Sequence, residues 1–258
     1  MRKIDQLRKY FLPYTILDGF SVHEPDNNYS VRSIYYDTSN LDFYQEKLSG
    51  IKRRKKLRIR GYNEQNSDSV AFLEVKKKNG PTITKIRAAV LFKLLTNLLV
   101  EKDLEKYIIN GKSAAHHVED AEQFFYYLQR FYLNPTIKVI YEREAYYCKF
   151  NPNLRITLDM NLRSSLDVQL ENFYQEDNLT FALPGKAILE VKTTGGMPAW
   201  LGKMISLFDL HLQALSKYTT CIDTHSKYER KLSRSVNGLA RYNEFITIPK
   251  TEKNSKSC

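Results

Sequence analysis

The sequence predicts an α+β protein, an antiparallel β-barrel that forms a tunnel with a basic lumen and carries its helices on the outside. Three observations support this. Short segments along most of the chain alternate between cations and aliphatics, the period of a strand with two unlike faces. Segments with helical spacing of apolar residues precede them and lie between them. Basic residues outnumber acidic ones by 40 to 29 in 258 residues, a formal charge of +11.

The elements follow in chain order. The first dozen residues place Ile4, Leu7 and Phe11 on one helical face. Residues 19–28 read as a loop. Residues 29–37, rich in β-branched and aromatic types, read as a strand. Residues 56–60 alternate strictly, with Lys56, Arg58 and Arg60 against Leu57 and Ile59. Residues 72–76, 83–87, 154–159 and 188–192 alternate in the same way, and 138–143 is a β-rich run. Helical spacing runs over 90–109, over 120–132 (Phe124, Leu128, Phe131) and over 197–212 (Leu201, Met204, Ile205, Phe208). The last of these opens with Pro198, a favoured first-turn residue. Residues 249–258 are polar and Lys-rich and read as a disordered tail. The expected organisation is a tunnel domain over 1–230 and a partly disordered C-terminal extension over 231–258.

Alternation sorts the strand residues onto two faces. One carries Arg58, Arg60, Lys76, Lys85, Arg87, Arg155, Glu190 and Lys192; the other carries Leu57, Ile59, Leu73, Val75, Ile156, Leu158, Leu189 and Val191. Strand by strand, an open antiparallel sheet with its charged face in water accounts for this. The sum accounts for it less well. Six strands place cations on one face with few acids, and crowded like charges repel. A face that wraps around an anion resolves the crowding, and a closed barrel with a polar lumen is such a face. Arginine forks bind phosphate oxygens bidentately and lysines add point charge. Glu190, the acid among these cations, suits a hard cation such as Mg²⁺ or Mn²⁺, which takes one or two carboxylates plus phosphate oxygens.

Composition narrows the alternatives. Three widely spaced cysteines, Cys148, Cys221 and Cys258, form neither a disulfide framework nor a C-x-x-C metal site and fit a reducing compartment. The apolar stretch over 90–100 is broken by Lys93, Thr96 and Asn97, so no membrane span is expected. The N-terminus lacks the apolar run of a signal peptide. The expected location is cytoplasmic, with membrane association only through a partner protein. Gly111-Lys112-Ser113 lacks the earlier glycine of a P-loop and reads as a helix-end turn. His116-His117 reads as a loop, because adjacent side chains diverge and a third ligand is not near. The run Lys52-Arg53-Arg54-Lys55-Lys56 reads as the basic start of a strand near the tunnel mouth.

A series of segments in fixed order then carries a resemblance. It runs Ser33-Ile34-Tyr35-Tyr36-Asp37, Lys56-Leu57-Arg58-Ile59-Arg60, Leu73-Glu74-Val75-Lys76, Lys85-Ile86-Arg87, Tyr141-Glu142-Arg143-Glu144-Ala145-Tyr146, Leu154-Arg155-Ile156-Thr157-Leu158-Asp159, Leu189-Glu190-Val191-Lys192 and Ser216-Lys217-Tyr218. From about Leu7 to Tyr218 the chain resembles the VTC domain, the polyphosphate polymerase domain of the triphosphate tunnel metalloenzymes, or CYTH-like superfamily. The resemblance implies a basic antiparallel tunnel in which the terminal phosphate of ATP passes to inorganic polyphosphate, with Mn²⁺ or Mg²⁺ assisting. It assigns phosphate-gripping, catalytic roles to Arg58, Arg60, Lys76, Lys85, Arg143, Arg155 and Lys217. It assigns substrate binding to Arg87, Lys192 and Glu74, and the metal to Glu190. Two departures accompany it. The chain begins after the point where the family has its first strand, an Arg-x-Glu-x-Lys-Tyr-like segment, so a tunnel missing that strand is expected. Ala214 also stands where some relatives carry a lysine. Three other functions stay open: a triphosphate hydrolase on the same fold, a non-enzymatic polyphosphate or inositol-phosphate binding module, and, last, nucleic-acid binding through surface cations. Nucleic acid is not the expected partner.

Overall fold

Among the described residues nine strands pair into one antiparallel sheet, and helices cover most of its apolar surface. The computed structural model describes residues 2–24, 26–109 and 114–225. In chain order these are α1 (Arg2–Phe11), a 3-10 turn (Leu12–Tyr14), β1 (Thr15–Leu17), α2 (Gly19–Val22), β2 (Tyr29–Asp37), α3 (Asp42–Leu48), β3 (Arg53–Tyr62), β4 (Val70–Asn79) and β5 (Thr82–Leu91). A 3-10 turn (Phe92–Leu94), α4 (Leu95–Glu101), α5 (Leu104–Tyr107), α6 (Ala114–Arg130), β6 (Asn134–Cys148) and β7 (Asn151–Ser165) follow. The chain continues through a 3-10 turn (Leu170–Asn172), β8 (Thr180–Phe181), β9 (Ile188–Lys192), α7 (Ala199–Leu207) and α8 (Lys217–Asp223).

The sheet order is β5-β4-β3-β2-β6-β7-β8; β9 pairs with another stretch of β7, and β1 with the far end of β6. The sheet is open, which corrects the expected closed barrel. Among the described residues β5 pairs with neither β8 nor β9. Alternation dictates which face is charged. Closure depends on strand number, tilt and stagger, which alternation does not encode.

Three apolar clusters fix the layers. On the outer face of β3 to β5, Leu57, Ile59, Leu73 and Val75 pack under Phe124 of α6 and Leu95 and Leu98 of α4. On the outer face of β7 and β9, Ile156, Leu158, Leu189 and Val191 pack under Leu7 and Phe11 of α1 and Leu201 and Met204 of α7. Each such side chain contributes roughly 1.5–3 kcal/mol when fully buried. The third cluster lies on the inner face, where Val31, Tyr35, Val139 and Tyr141 of β2 and β6 meet Tyr218, Cys221 and Ile222 of α8. The helices are therefore not all outside: α8 rests on the charged side of the sheet, because β2 and β6 offer it an apolar floor there.

Local chemistry explains several breaks in the pattern. Asn161 adopts a left-handed φ of 51° where β7 bulges against β6, so Asp159 and Leu162 both face inward although their spacing is odd. Gly61 has no side chain because Phe173 closes on it; a Cβ there would lie 2.6 Å from Phe173 Cε1. The expected helix over 90–109 starts later. Val90 and Leu91 complete β5 opposite Ala71 and Val70, and Lys102, at φ 58°, separates α4 from α5. The helix expected over 197–212 ends at Leu207, before Asp209 at φ 47°. His116 and His117 stand in α6 rather than a loop. The short elements β1, α2, α3 and α8 carry too few residues to show a period. The readings of Gly111-Lys112-Ser113 and of 231–258 lie outside the described residues. No helix among the described residues is long and apolar enough to cross a membrane.

Candidate active site

The inner face has two charged flanks separated by the β2–β6 floor. On the first, β3, β4 and β5 bring cations into direct opposition: Lys56 stands opposite Lys76, and Lys76 opposite Lys85. One step along, Arg58 stands opposite Glu74, and Glu74 opposite Arg87. The strands are regular, so residues two apart share a face and the whole group converges. Glu74, 2% exposed, is its hub. Arg58 donates to Oε2 at 2.7 Å, Lys85 Nζ approaches Oε1 at 2.7 Å, Arg87 Nε lies 3.3 Å from Oε1 and Arg60 Nε 3.7 Å from Oε2. Burial alone would raise the Glu74 carboxyl; Arg58, Arg60 and Lys85 outweigh it and hold it well below the ordinary range. Arg58 also donates to the Tyr35 hydroxyl at 2.8 Å, and Arg87 lies over the Phe72 ring. Among the described residues no carboxylate bonds Lys56. It donates to Ser216 Oγ, the N-cap of α8, at 2.6 Å. Burial, then the charges of Lys76 and Lys47, lower its pKa well below the usual lysine value.

On the second flank the hub is Asp159, 1% exposed. Arg143 forks onto it with distances of 2.6 and 2.8 Å, and Lys217 Nζ reaches it from α8 at 2.5 Å. Burial opposes its ionisation, and Lys217 and Arg143 overcome that. Glu190 stands on β9, with Lys192 Nζ at 3.1 Å and Arg143 Nη2 at 3.9 Å. It too is held below the ordinary carboxylate range: burial raises it, but Lys192 and Lys217 prevail. Arg155 is turned toward Asp18, which accepts from its Nη2 at 2.8 Å, and lies over the Tyr147 ring.

The two flanks face each other. Lys56 of the first flank donates to Ser216 and the next residue, Lys217, reaches Asp159 of the second, although β2 and β6 separate β3 from β7 in the sheet. The sheet curls, and its inner face is concave.

The structure thus gathers Arg58, Arg60, Lys85, Arg87 and Glu74 on one flank, with Lys76 beside them, and Arg143, Lys217, Glu190 and Lys192 on the other. Arg155 stands on the second flank, opposite Lys192 and bound to Asp18. Sequence reasoning missed Asp159, Asp18, Lys56 and Ser216. Lys56 and Asp159 carried a signal, since they alternate in step with Arg58 and Arg155. Asp18 carried none, and Ser216 stood in a resemblance segment without any sign of its partner Lys56, because both partners are remote in sequence. Among the described residues no three His, Cys, Asp or Glu side chains converge as a metal site. One ionised carboxylate, Glu190, still fits Mg²⁺ or Mn²⁺, which takes its remaining ligands from phosphate oxygens and water.

The family model described as VTC domain matches residues 1–225. The vacuolar transporter chaperone complex subunit 4 of Schizosaccharomyces pombe is 26% identical over 212 residues, covering 69% of this chain and 29% of the relative. The chain therefore spans less than a third of that protein. A solved structure of the PH1819 protein from Pyrococcus horikoshii OT3 aligns with 80% of this chain and 81% of its own at 17% identity, with a TM-score of 0.37.

Proposed function

Because the chain belongs to the VTC domain family, we propose that it acts on polyphosphate, as an ATP-dependent polymerase that works within its concave basic face. The observation that carries this reading is the row of Lys56, Lys76 and Lys85 directly opposite one another on that face. Like charges in opposition destabilise a sheet. A polyanion lying along the row converts that repulsion into binding, and polyphosphate has the charge density to do so.

The reaction suits these residues. A terminal oxygen of the chain attacks the γ-phosphorus of ATP, the bond to the β–γ bridging oxygen breaks, and ADP leaves with that electron pair. Such a transfer requires in-line positioning and charge neutralisation more than covalent catalysis. Arg58, Arg60, Lys76 and Lys85 hold phosphates on one flank; Arg143, Arg155 and Lys217 hold them on the other, with Arg87 and Lys192 at the sides. Glu74 aligns its cations. Glu190 would hold Mg²⁺ or Mn²⁺, which supplies charge neutralisation at phosphate oxygens when bound.

The test is conversion of ATP to polyphosphate by the purified chain with Mn²⁺, resolved on a gel. Polymer in the wild type and its loss in Glu190→Gln and Arg58→Ala are expected. Wild-type rates in both variants overturn the assigned site. Tight binding of tripolyphosphate without turnover replaces the polymerase with a binding module, and phosphate release without chain growth replaces it with a hydrolase.

A further inference from the structure

We propose that the Thr157 hydroxyl is a phosphate-binding group of this site, donating a hydrogen bond to a phosphoryl oxygen beside Arg155. This rests on the phosphate-binding reading above. Thr157 lies in the middle of β7 and is 3% exposed. Among the described residues its Oγ1 has no hydrogen-bond partner. A buried hydroxyl left unpaired is costly, and its persistence calls for a partner that arrives later.

The surroundings indicate which partner. Residues two apart on a strand share a face, so Thr157 sits between Arg155 and Asp159 on the concave side, opposite Ala145 of β6 and Glu190 of β9. Ala145 offers no polar atom on its side chain. Asp159 is fully engaged by Arg143 and Lys217. Glu190 has Lys192 at 3.1 Å. Arg155 gives Nη2 to Asp18, and its buried Nε, like the hydroxyl, has no partner among the described residues. Two unpaired buried donors, one cationic and one neutral, therefore stand on one strand face, two residues apart. Donors without acceptors are a site for oxygen atoms that accept, and the neighbouring Arg143, Lys192 and Lys217 make an anionic acceptor the favoured one. Asp18 and the Tyr29 hydroxyl both accept from Arg155 Nη2, which leaves the buried Nε without an acceptor among the described residues.

The test uses the full chain, with inorganic tripolyphosphate as probe and calorimetry as readout. Thr157→Val keeps the shape and removes the donor; Thr157→Ser keeps the donor. Thr157→Val is expected to weaken binding roughly tenfold, the size of one hydrogen bond to a charged group. Thr157→Ser is expected to bind as the wild type does. The ligand-free Thr157→Val protein is expected to melt no lower than the wild type, because it loses a polar group that the free protein leaves unpaired. Unchanged affinity in Thr157→Val, with the wild type binding, overturns this inference alone. A lowered melting temperature in Thr157→Val assigns the hydroxyl to the fold and also overturns it. Failure of the wild type to bind tripolyphosphate overturns the reading on which it rests.

Discussion

Glu74 and Asp159 are buried acids that let cations crowd together in a folded chain. Each accepts more than one cation, so removing either acid leaves several charges facing one another. Glu74→Ala is expected to destabilise the protein by about 3 kcal/mol, the lower end for breaking a buried pair, because Lys85 and Arg87 are partly exposed and screened. Urea denaturation measures this. Tripolyphosphate should restore part of the loss, since an anion can stand in for the missing carboxylate; an undiminished loss at saturating ligand contradicts that role. Both acids ionise below their ordinary range. Their contribution to stability is therefore complete above about pH 4, the ordinary carboxyl value, and disappears as pH falls through the depressed folded values. The acid limb of a stability–pH profile should flatten in Asp159→Asn. Alternation marked the cations and Glu190. It did not reveal that Asp159 is a hub, because Lys217 reaches it from a helix remote in sequence.

Helix α8 links the site to the fold. It supplies Lys217, its Ser216 cap accepts from Lys56, and Tyr218 stacks on Tyr35 with ring centroids 5.1 Å apart. Tyr218 also donates to Asp37 at 2.5 Å, and Asp37 caps the first turn of α3 by accepting from the Phe43 and Tyr44 amides. Asp37 is buried, so each donor it loses is expensive. Tyr218→Phe keeps the stacked ring and removes one donor. It is expected to cost about 2 kcal/mol, the scale of a hydrogen bond to a charged group, and to lower turnover by loosening Lys217. Chemical denaturation and the polymer assay check the two halves separately; unchanged turnover in the destabilised variant would separate α8 docking from the site. Seven-residue α8 was not legible as a helix. Its apolar face is set by the floor it meets, and that floor is made from β2 and β6.

For the molecule as a whole, curvature decides the electrostatics. The flanks are brought within reach of each other, and burial together with neighbouring cations lowers the ammonium pKa of Lys56 and Lys76. Burial also lowers Lys85, in spite of Glu74. A bound polyanion favours their charged forms, so binding must draw in protons where the free amines have begun to lose them. Tripolyphosphate binding at pH about 9, below the ordinary lysine value of about 10.4, is expected to take up protons, and its affinity to fall as pH rises. Calorimetry in buffers of different ionisation heat measures the uptake; none at any pH between 7 and 10 would show that these lysines do not contact the ligand.

The cores of β2 to β7 and of β9, and which face of the alternating strands carries charge, are written in the chain, because a period of two is a local property of the backbone. The family is written there too, in the order of short segments from Ser33 to Tyr218. Whether the sheet closes, that α8 lies on the charged side, that Asp159 and Glu74 neutralise the cations and that Thr157 is left unpaired were decided only by the folded molecule. Each depends on distances between strands and helices far apart in sequence. Those distances are set by twist, by the bulge at Asn161 and by packing, and periodicity along one strand carries no information about them.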